Sequence, residues 1–178
     1  TLLQEAGWQM AGGSLQKNGQ PFNLTMRDAD GVRDVEIISA QWRELVRFGR
    51  ATEDLAAACA VGVTVARGAN VFNCAALVHR GRVHGLVPKE KLPTYNVFYE
   101  GRTLSRGAAG LLATVAGVPF GDLALRFDFG TIAPEVCEDL WSPDGPTKRR
   151  TYAGAELVCN VSASPFRARS SNCTGAAL

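Results

Sequence analysis

Histidine is nearly missing from these 178 residues, with His79 and His84 the only two, and the five cysteines (59, 74, 137, 159 and 173) never form a C-x-x-C pair. A structural zinc site therefore lacks a ligand set of the usual spacing. The odd cysteine count and wide spacings also argue against a disulfide framework, so a reducing, cytoplasmic compartment is expected. Charge of one sign is lacking too. Nineteen Lys and Arg stand against seventeen Asp and Glu, a net charge of +2 with the arginines spread along the chain. Neither nucleic acid nor a membrane surface is expected as a partner. No apolar run approaches a membrane span, the N-terminus has no basic-then-apolar signal pattern, and no internal repeat is found. What remains, 46% hydrophobic and 20% charged residues, fits one globular domain.

Residues 1–38 are treated as a segment apart. Their first 35 residues are rich in Gly, Gln, Asn and Asp, carry the turn signals Gly12-Gly13, Asn18-Gly19 and Asp30-Gly31, and are expected to be irregular. From Ser39 the pattern becomes helical. Trp42, Leu45, Val46, Phe48, Leu55 and Cys59 share one side, with Ser39 as N-cap and Gly62 as the stop. Strands are expected over 61–65, 71–79 and 82–87, with a tight turn at Arg80-Gly81 that leaves both histidines at an exposed hairpin end. Residues 93–105 read as an aromatic-rich loop. Further strands are expected over 111–115, 123–127, 131–137 and 155–161, punctuated by Gly117, Pro119, Gly121 and Gly130. Between the last two, residues 147–152 read as a short helix whose Lys148-Arg149-Arg150 run forms a solvated face. Strands apolar on both flanks imply a sheet covered on two sides, hence an α/β class or α-β-β-α layers.

Cys137, Lys89 and Ser164 each follow an apolar, strand-like run. Strand C-termini are where α/β folds gather their chemistry, so all three are expected at one sheet edge. A cysteine nucleophile acts as the thiolate, and the adjacent Glu138 and Asp139 oppose its formation. Lys89 would supply the missing cation and would stabilise an oxyanion. The plainer alternatives are a buried, inert cysteine and a solvated lysine.

Four blocks carry a family resemblance: residues 72–83 (FNCAALVHRGRV), 87–100 (VPKEKLPTYNVFYE), 135–141 (EVCEDLW) and 160–166 (NVSASPF). Together they resemble the nitrilase-type amidases, and more narrowly the glutaminase domain of glutamine-dependent NAD synthetases, over roughly residues 60–167. The resemblance implies a nitrilase-like α-β-β-α sandwich, here incomplete, spanning 39–178. It implies a Glu-Lys-Cys triad with Cys137 as nucleophile, Lys89 as its lysine and the backbone N–H of Glu138 at the oxyanion. Tyr95, Glu100 and Ser164 match positions that hold the glutamine. The implied reaction is hydrolysis of the glutamine amide through a cysteine thioester, with ammonia delivered to ATP-dependent NAD synthesis from deamido-NAD. It needs no metal or cofactor at the glutaminase step. ATP and Mg would belong to a synthetase domain or subunit that these residues do not include, and assembly into a homo-oligomer is expected.

The third triad member is not found. In the family it ends an N-terminal strand in a Phe-Pro-Glu-like motif, and Glu5, Glu36 and Glu44 all fail that context. The general base is left unassigned. The chain accordingly reads as an internal piece of a larger enzyme, with a stand-alone nitrilase-type amidase, or a catalytically dead or truncated module, as the alternatives.

Overall fold

A computed structural model describes residues 9–11, 14–18, 20, 21, 35–95 and 98–163. Three short antiparallel strands come first: β1 (Gln9–Ala11), β2 (Ser14–Lys17) and β3 (Gln20–Pro21). The expectation of irregular structure there is corrected. Asn18, with φ 53°, makes the turn between β2 and β3, a conformation that asparagine tolerates better than most residues.

Helix α1 (Val35–Ala51) starts before Ser39 and stops well before Gly62. Its inward stripe is Ile38, Leu45 and Gly49, buried, with Trp42 half-buried, while Arg43, Glu44, Arg47 and Arg50 face solvent. Thr52 ends it by placing both its N–H and its hydroxyl on Gly49 O, at 3.0 and 2.8 Å. Leu55 and Cys59 thus lie outside the helix and Gly62 within the next strand, because a side-chain stop at Thr52 acts earlier than any glycine. Gly49 has a packing reason to lack a side chain, since a Cβ there would stand 3.3 Å from Gly81 O.

The main sheet has five strands in the order β4-β5-β6-β8-β7: β4 (Ala58–Arg67), β5 (Asn70–His79), β6 (Arg82–Pro88), β7 (Leu112–Val115) and β8 (Val118–Gly121). Strand β8 is absent from the expected set. Its Gly117, Pro119 and Gly121 read as breakers, yet Ala116 (φ 48°) and Gly117 (φ 79°) form the hairpin turn, and β8 lies between β7 and β6, with Pro119 in register with Thr114 of β7 while the register with β6 is Leu86 opposite Phe120. A second sheet, in the order β11-β10-β9, contains β9 (Leu125–Phe127), β10 (Gly130–Val136) and β11 (Leu157–Val161). Strands β10 and β11 run parallel, with Val136 opposite Val161. The short helices are α2 (Glu100–Thr103), α3 (Glu138–Trp141) and α4 (Pro146–Tyr152).

The two sheets pack face to face through β10 against β5 and β6. Helix α1 covers the outer face of one, and α3 and α4 cover the other. The layers are therefore α-β-β-α. Strand β5 is buried on both faces, so Cys74 to Val78 can be continuously apolar although its neighbours are antiparallel. Phe72 and Phe120 meet edge to face at 5.1 Å, a contact worth about 0.5–1.5 kcal/mol beyond burial. This core brings the ends of β6 and β10 to the same side of the molecule.

Candidate functional site

Strand β6 ends at Pro88 and delivers Lys89 into the interior, with only 1% of the residue exposed. The solvated-lysine alternative is thereby excluded. The backbone of Lys89 continues the ladder, its N–H donating to Asn73 O at 2.8 Å and its carbonyl accepting from Gly107 N–H at 2.8 Å. A Cβ at Gly107 would come within 2.6 Å of Pro88 O, so glycine is what permits that close approach. The Lys89 ammonium donates to Glu100 Oε2 at 2.6 Å. Glu100, expected to hold substrate, is thus the ion-pair partner of the lysine. It is presented by the one-turn helix α2, which interrupts the loop expected over 93–105.

Strand β10 ends at Val136, and the next residue, Cys137, has φ 46° and ψ −102°. A non-glycine residue there carries of order 1–3 kcal/mol of strain, which persists only where the surroundings impose it. They do so here through bonds on both sides of the residue. Cys137 N–H donates to Val161 O at 3.1 Å, and its carbonyl accepts from Leu140 N–H at 3.1 Å and from Asn160 Nδ2 at 3.1 Å. Asn160 in turn donates to Glu135 Oε1 at 3.2 Å, and Thr147 donates to Glu135 Oε2 at 2.6 Å. The cysteine is part-exposed and lies in no disulfide. A sharp strand-to-helix bend of this kind presents a side chain outward from the sheet end.

The two carboxylates after the cysteine are both engaged in hydrogen bonds. Glu138 Oε2 accepts the Tyr95 hydroxyl at 2.8 Å. That bond is the main reason the Tyr95 phenol is raised above its ordinary value, with the neighbouring charges of Glu138 and Cys137 acting in the same direction. Tyr95 therefore does stand at the cysteine's side, half exposed. Asp139, 1% exposed, accepts from the backbone N–H groups of Glu90 and Lys91 at 3.0 and 2.8 Å and of Val136 at 3.3 Å. Glu138 opens α3, where a backbone N–H has no acceptor within the helix.

Behind this lies a cluster of four charged side chains. Glu90 and Asp122 pair with Arg149 and Arg150 at 2.5–3.4 Å. Arg150 is buried and also donates to Pro134 O at 2.8 Å. The reading of residues 148–150 as a solvated face therefore holds for Lys148 alone. Burial works to raise the Asp122 carboxyl, but bonds from Arg149, the Gly110 N–H and Arg150 outweigh it and hold it down to about 2. No buried side-chain nitrogen or oxygen among the described residues lacks a partner.

The structure thus brings the segments of Lys89, Tyr95, Glu100, Cys137 and Glu138 together. Ser164 lies outside the described residues, and the side chain of Glu36 is likewise not described. Sequence reasoning missed Asp139, Asn160, Glu90 and Arg150. Their signal is faint, because a polar residue beside a motif reads as surface until its backbone partners are known. The histidines sit at the opposite end of the sheet. His79 is buried, not exposed, with Nδ1 3.2 Å from Ala57 O and its ring edge-on to Phe127 and Phe129. A Cys–His pair therefore has no support. Among the described residues no group of three or more His, Cys, Asp or Glu could hold a metal ion, and no helix is long and apolar enough to cross a membrane.

Comparison with solved structures decides the fold. A glutamine-dependent NAD(+) synthetase from Cytophaga hutchinsonii superimposes with a TM-score of 0.69 at 24% identity, covering 82% of this chain and 24% of that one. A carbon-nitrogen hydrolase from Helicobacter pylori gives 0.61 at 19% identity, covering 77% and 46%. This is the carbon-nitrogen hydrolase fold. In sequence the chain is similar to part of the glutamine-dependent NAD(+) synthetases of Mycobacterium bovis, 38% identical over 121 residues, and Aquifex aeolicus, 36% identical over 97 residues. Those matches cover 64% and 54% of this chain but only 18% and 15% of the relatives. No family model matches. The carbon-nitrogen hydrolase fold accounts for the paired sheets, and the chain spans less than a fifth of the length of these synthetase relatives.

Proposed function

We propose that this chain is the glutamine-hydrolysing part of a glutamine-dependent NAD synthetase, with Cys137 as nucleophile. The observation that carries the reading is the pairing of a strained cysteine at the end of β10 with a buried, ion-paired lysine at the end of β6. The synthetase names of the sequence relatives supply the substrate.

In this reading the Cys137 sulfur attacks the side-chain amide carbon of glutamine, and the carbonyl oxygen becomes an oxyanion. The Lys89 ammonium and the Glu138 N–H stabilise that charge, an effect worth several kcal/mol when donors are fixed in advance. The C–N bond then breaks, the nitrogen takes a proton and ammonia leaves a γ-glutamyl thioester. Water adds to the thioester and releases glutamate and the thiol. The net change is glutamine plus water to glutamate plus ammonia. Glu100 holds the Lys89 ammonium in place, and Tyr95 and Ser164 hold the substrate's backbone groups. The general base is not assigned to any described carboxylate. Ammonia would pass to a synthetase domain or subunit, with its ATP and Mg, beyond these 178 residues, and the assembly would be a cytoplasmic homo-oligomer.

The test is mass spectrometry after incubation with a glutamine-mimicking diazoketone. A single adduct on Cys137, lost in Cys137→Ala and slowed in Lys89→Ala, supports the reading. No adduct on a folded chain sinks it and leaves a catalytically dead module.

A further inference from the structure

The bend at Cys137 and the loop after Lys89 belong to different sheets, and β6 and β10 are not hydrogen-bonded neighbours. Something other than a ladder must fix the distance between them. The Glu90 and Lys91 N–H groups follow the last strand residue and have left the β5–β6 ladder, where Lys89 N–H makes the final backbone bond, to Asn73. Both N–H groups converge on one oxygen of Asp139, and the other oxygen reaches back across the bend to Val136 N–H. One buried carboxylate thus holds the residue just before Cys137 and the two residues just after Lys89. We propose that Asp139 is a positioning residue that sets the spacing of Lys89 and Cys137, an inference that rests on reading Cys137 as the nucleophile.

The chemistry selects a carboxylate over an amide. Three N–H donors meet two oxygens and no N–H or O–H is needed from the side chain in return, so an ionised acid satisfies all of them. Asparagine would keep one oxygen for Glu90 and Lys91 and turn its NH2 group against the Val136 N–H, two donors facing each other. The requirement is strong enough to keep the group where burial pushes its carboxyl above the usual range, against those three bonds and the nearby charge of Arg150. The glycine at 145 belongs to the same arrangement, since a Cβ there would stand 2.0 Å from Asp139 O.

Alkylation of the full chain by iodoacetamide, followed residue by residue by mass spectrometry between pH 5 and 10, tests the assignment. Asp139→Asn is expected to slow Cys137 at neutral pH by about ten- to a hundredfold, the scale of loss that a displacement of about 1 Å produces. It should move the Cys137 pH profile toward that of Lys89→Ala. Cys59 and Cys159 should keep their rates and the fully buried Cys74 should stay unlabelled. A wild-type rate and profile in Asp139→Asn, with Lys89→Ala slowed, overturns the positioning role alone. If Lys89→Ala is unchanged as well, the nucleophile reading fails with it. Labelling of Cys74 in Asp139→Asn would mean lost folding, and the wild-type chain then decides by amide hydrogen exchange. Protection of the Glu90 and Lys91 N–H groups supports the role, and exchange at the rate of open loop amides overturns it.

Discussion

The two ends of the sheets are built from opposite materials. At the end holding Lys89 and Cys137, the chain is fixed by charges and backbone bonds: the Lys89–Glu100 pair, the Asp139 carboxylate and the four-membered Glu90, Asp122, Arg149 and Arg150 cluster. At the other end rings do the holding. His79, His84, Phe127 and Phe129 stack, tilt or meet edge-on at 5.1–6.0 Å. Rings pack favourably with little directional demand, whereas buried ions cost solvation and recover it only in good geometry. A protein needing only stability would use the cheaper material at both ends. Among the described residues the buried ion pairs lie at one end, which indicates that geometry is what that end must keep.

The sharpest way to break the contrast is to remove its central cation. Lys89→Ala should slow diazoketone labelling of Cys137 by at least about a hundredfold, on the scale of losing one oxyanion donor. Next is Arg150→Met, which keeps much of the volume but deprives Asp122, Glu90 and Pro134 O of a donor. Loss of one partner from a buried ionic cluster costs about 3 kcal/mol, read as a lowered urea midpoint. Asp122→Asn should cost less, about 1–2 kcal/mol after allowing for solvent screening. The sign of its pH dependence is fixed. A carboxyl held at about 2 in the fold and at 3.8 in the ordinary state stabilises the protein fully above pH 4. That stabilisation fades as pH falls through 2, so the wild-type and mutant curves should converge there.

The same contrast explains what could be read from the sequence. Strands β4, β5, β6 and β10 were legible because burial on a sheet leaves an apolar run, and Cys137 and Lys89 were legible as the residues that end two of them. Strand β8 was not, since Gly117, Pro119 and Gly121 read as a turn, whereas 118–121 pairs between β6 and β7. Arg149 and Arg150 read as a solvated face because their partners, Glu90 and Asp122, lie 27 to 60 residues away. In sequence Asp139 is a charge next to a thiol, whereas its meaning lies in the three N–H groups around it. His79 reads as an exposed hairpin end because the phenylalanines that pack on it, Phe127 of β9 and Phe129 of the turn after it, lie about fifty residues further along the chain. Patterns within one element survive in sequence, and pairings between elements do not.

The smallest predicted effect sharpens the comparison most. Phe129 is 52% exposed, so Phe129→Ala removes little buried area. It does remove the stacked contact with Phe127 at 5.1 Å and the edge-on contact with His79 at 5.3 Å. The cost should be about 0.5–1.5 kcal/mol, the value of such ring pairs. The Cys137 alkylation rate should stay at its wild-type value, because no ion pair or backbone bond of the charged end passes through these rings. Slowing of Cys137 in Phe129→Ala would show that the rings, too, set the geometry of the thiol, and the division of labour between the two ends would fall.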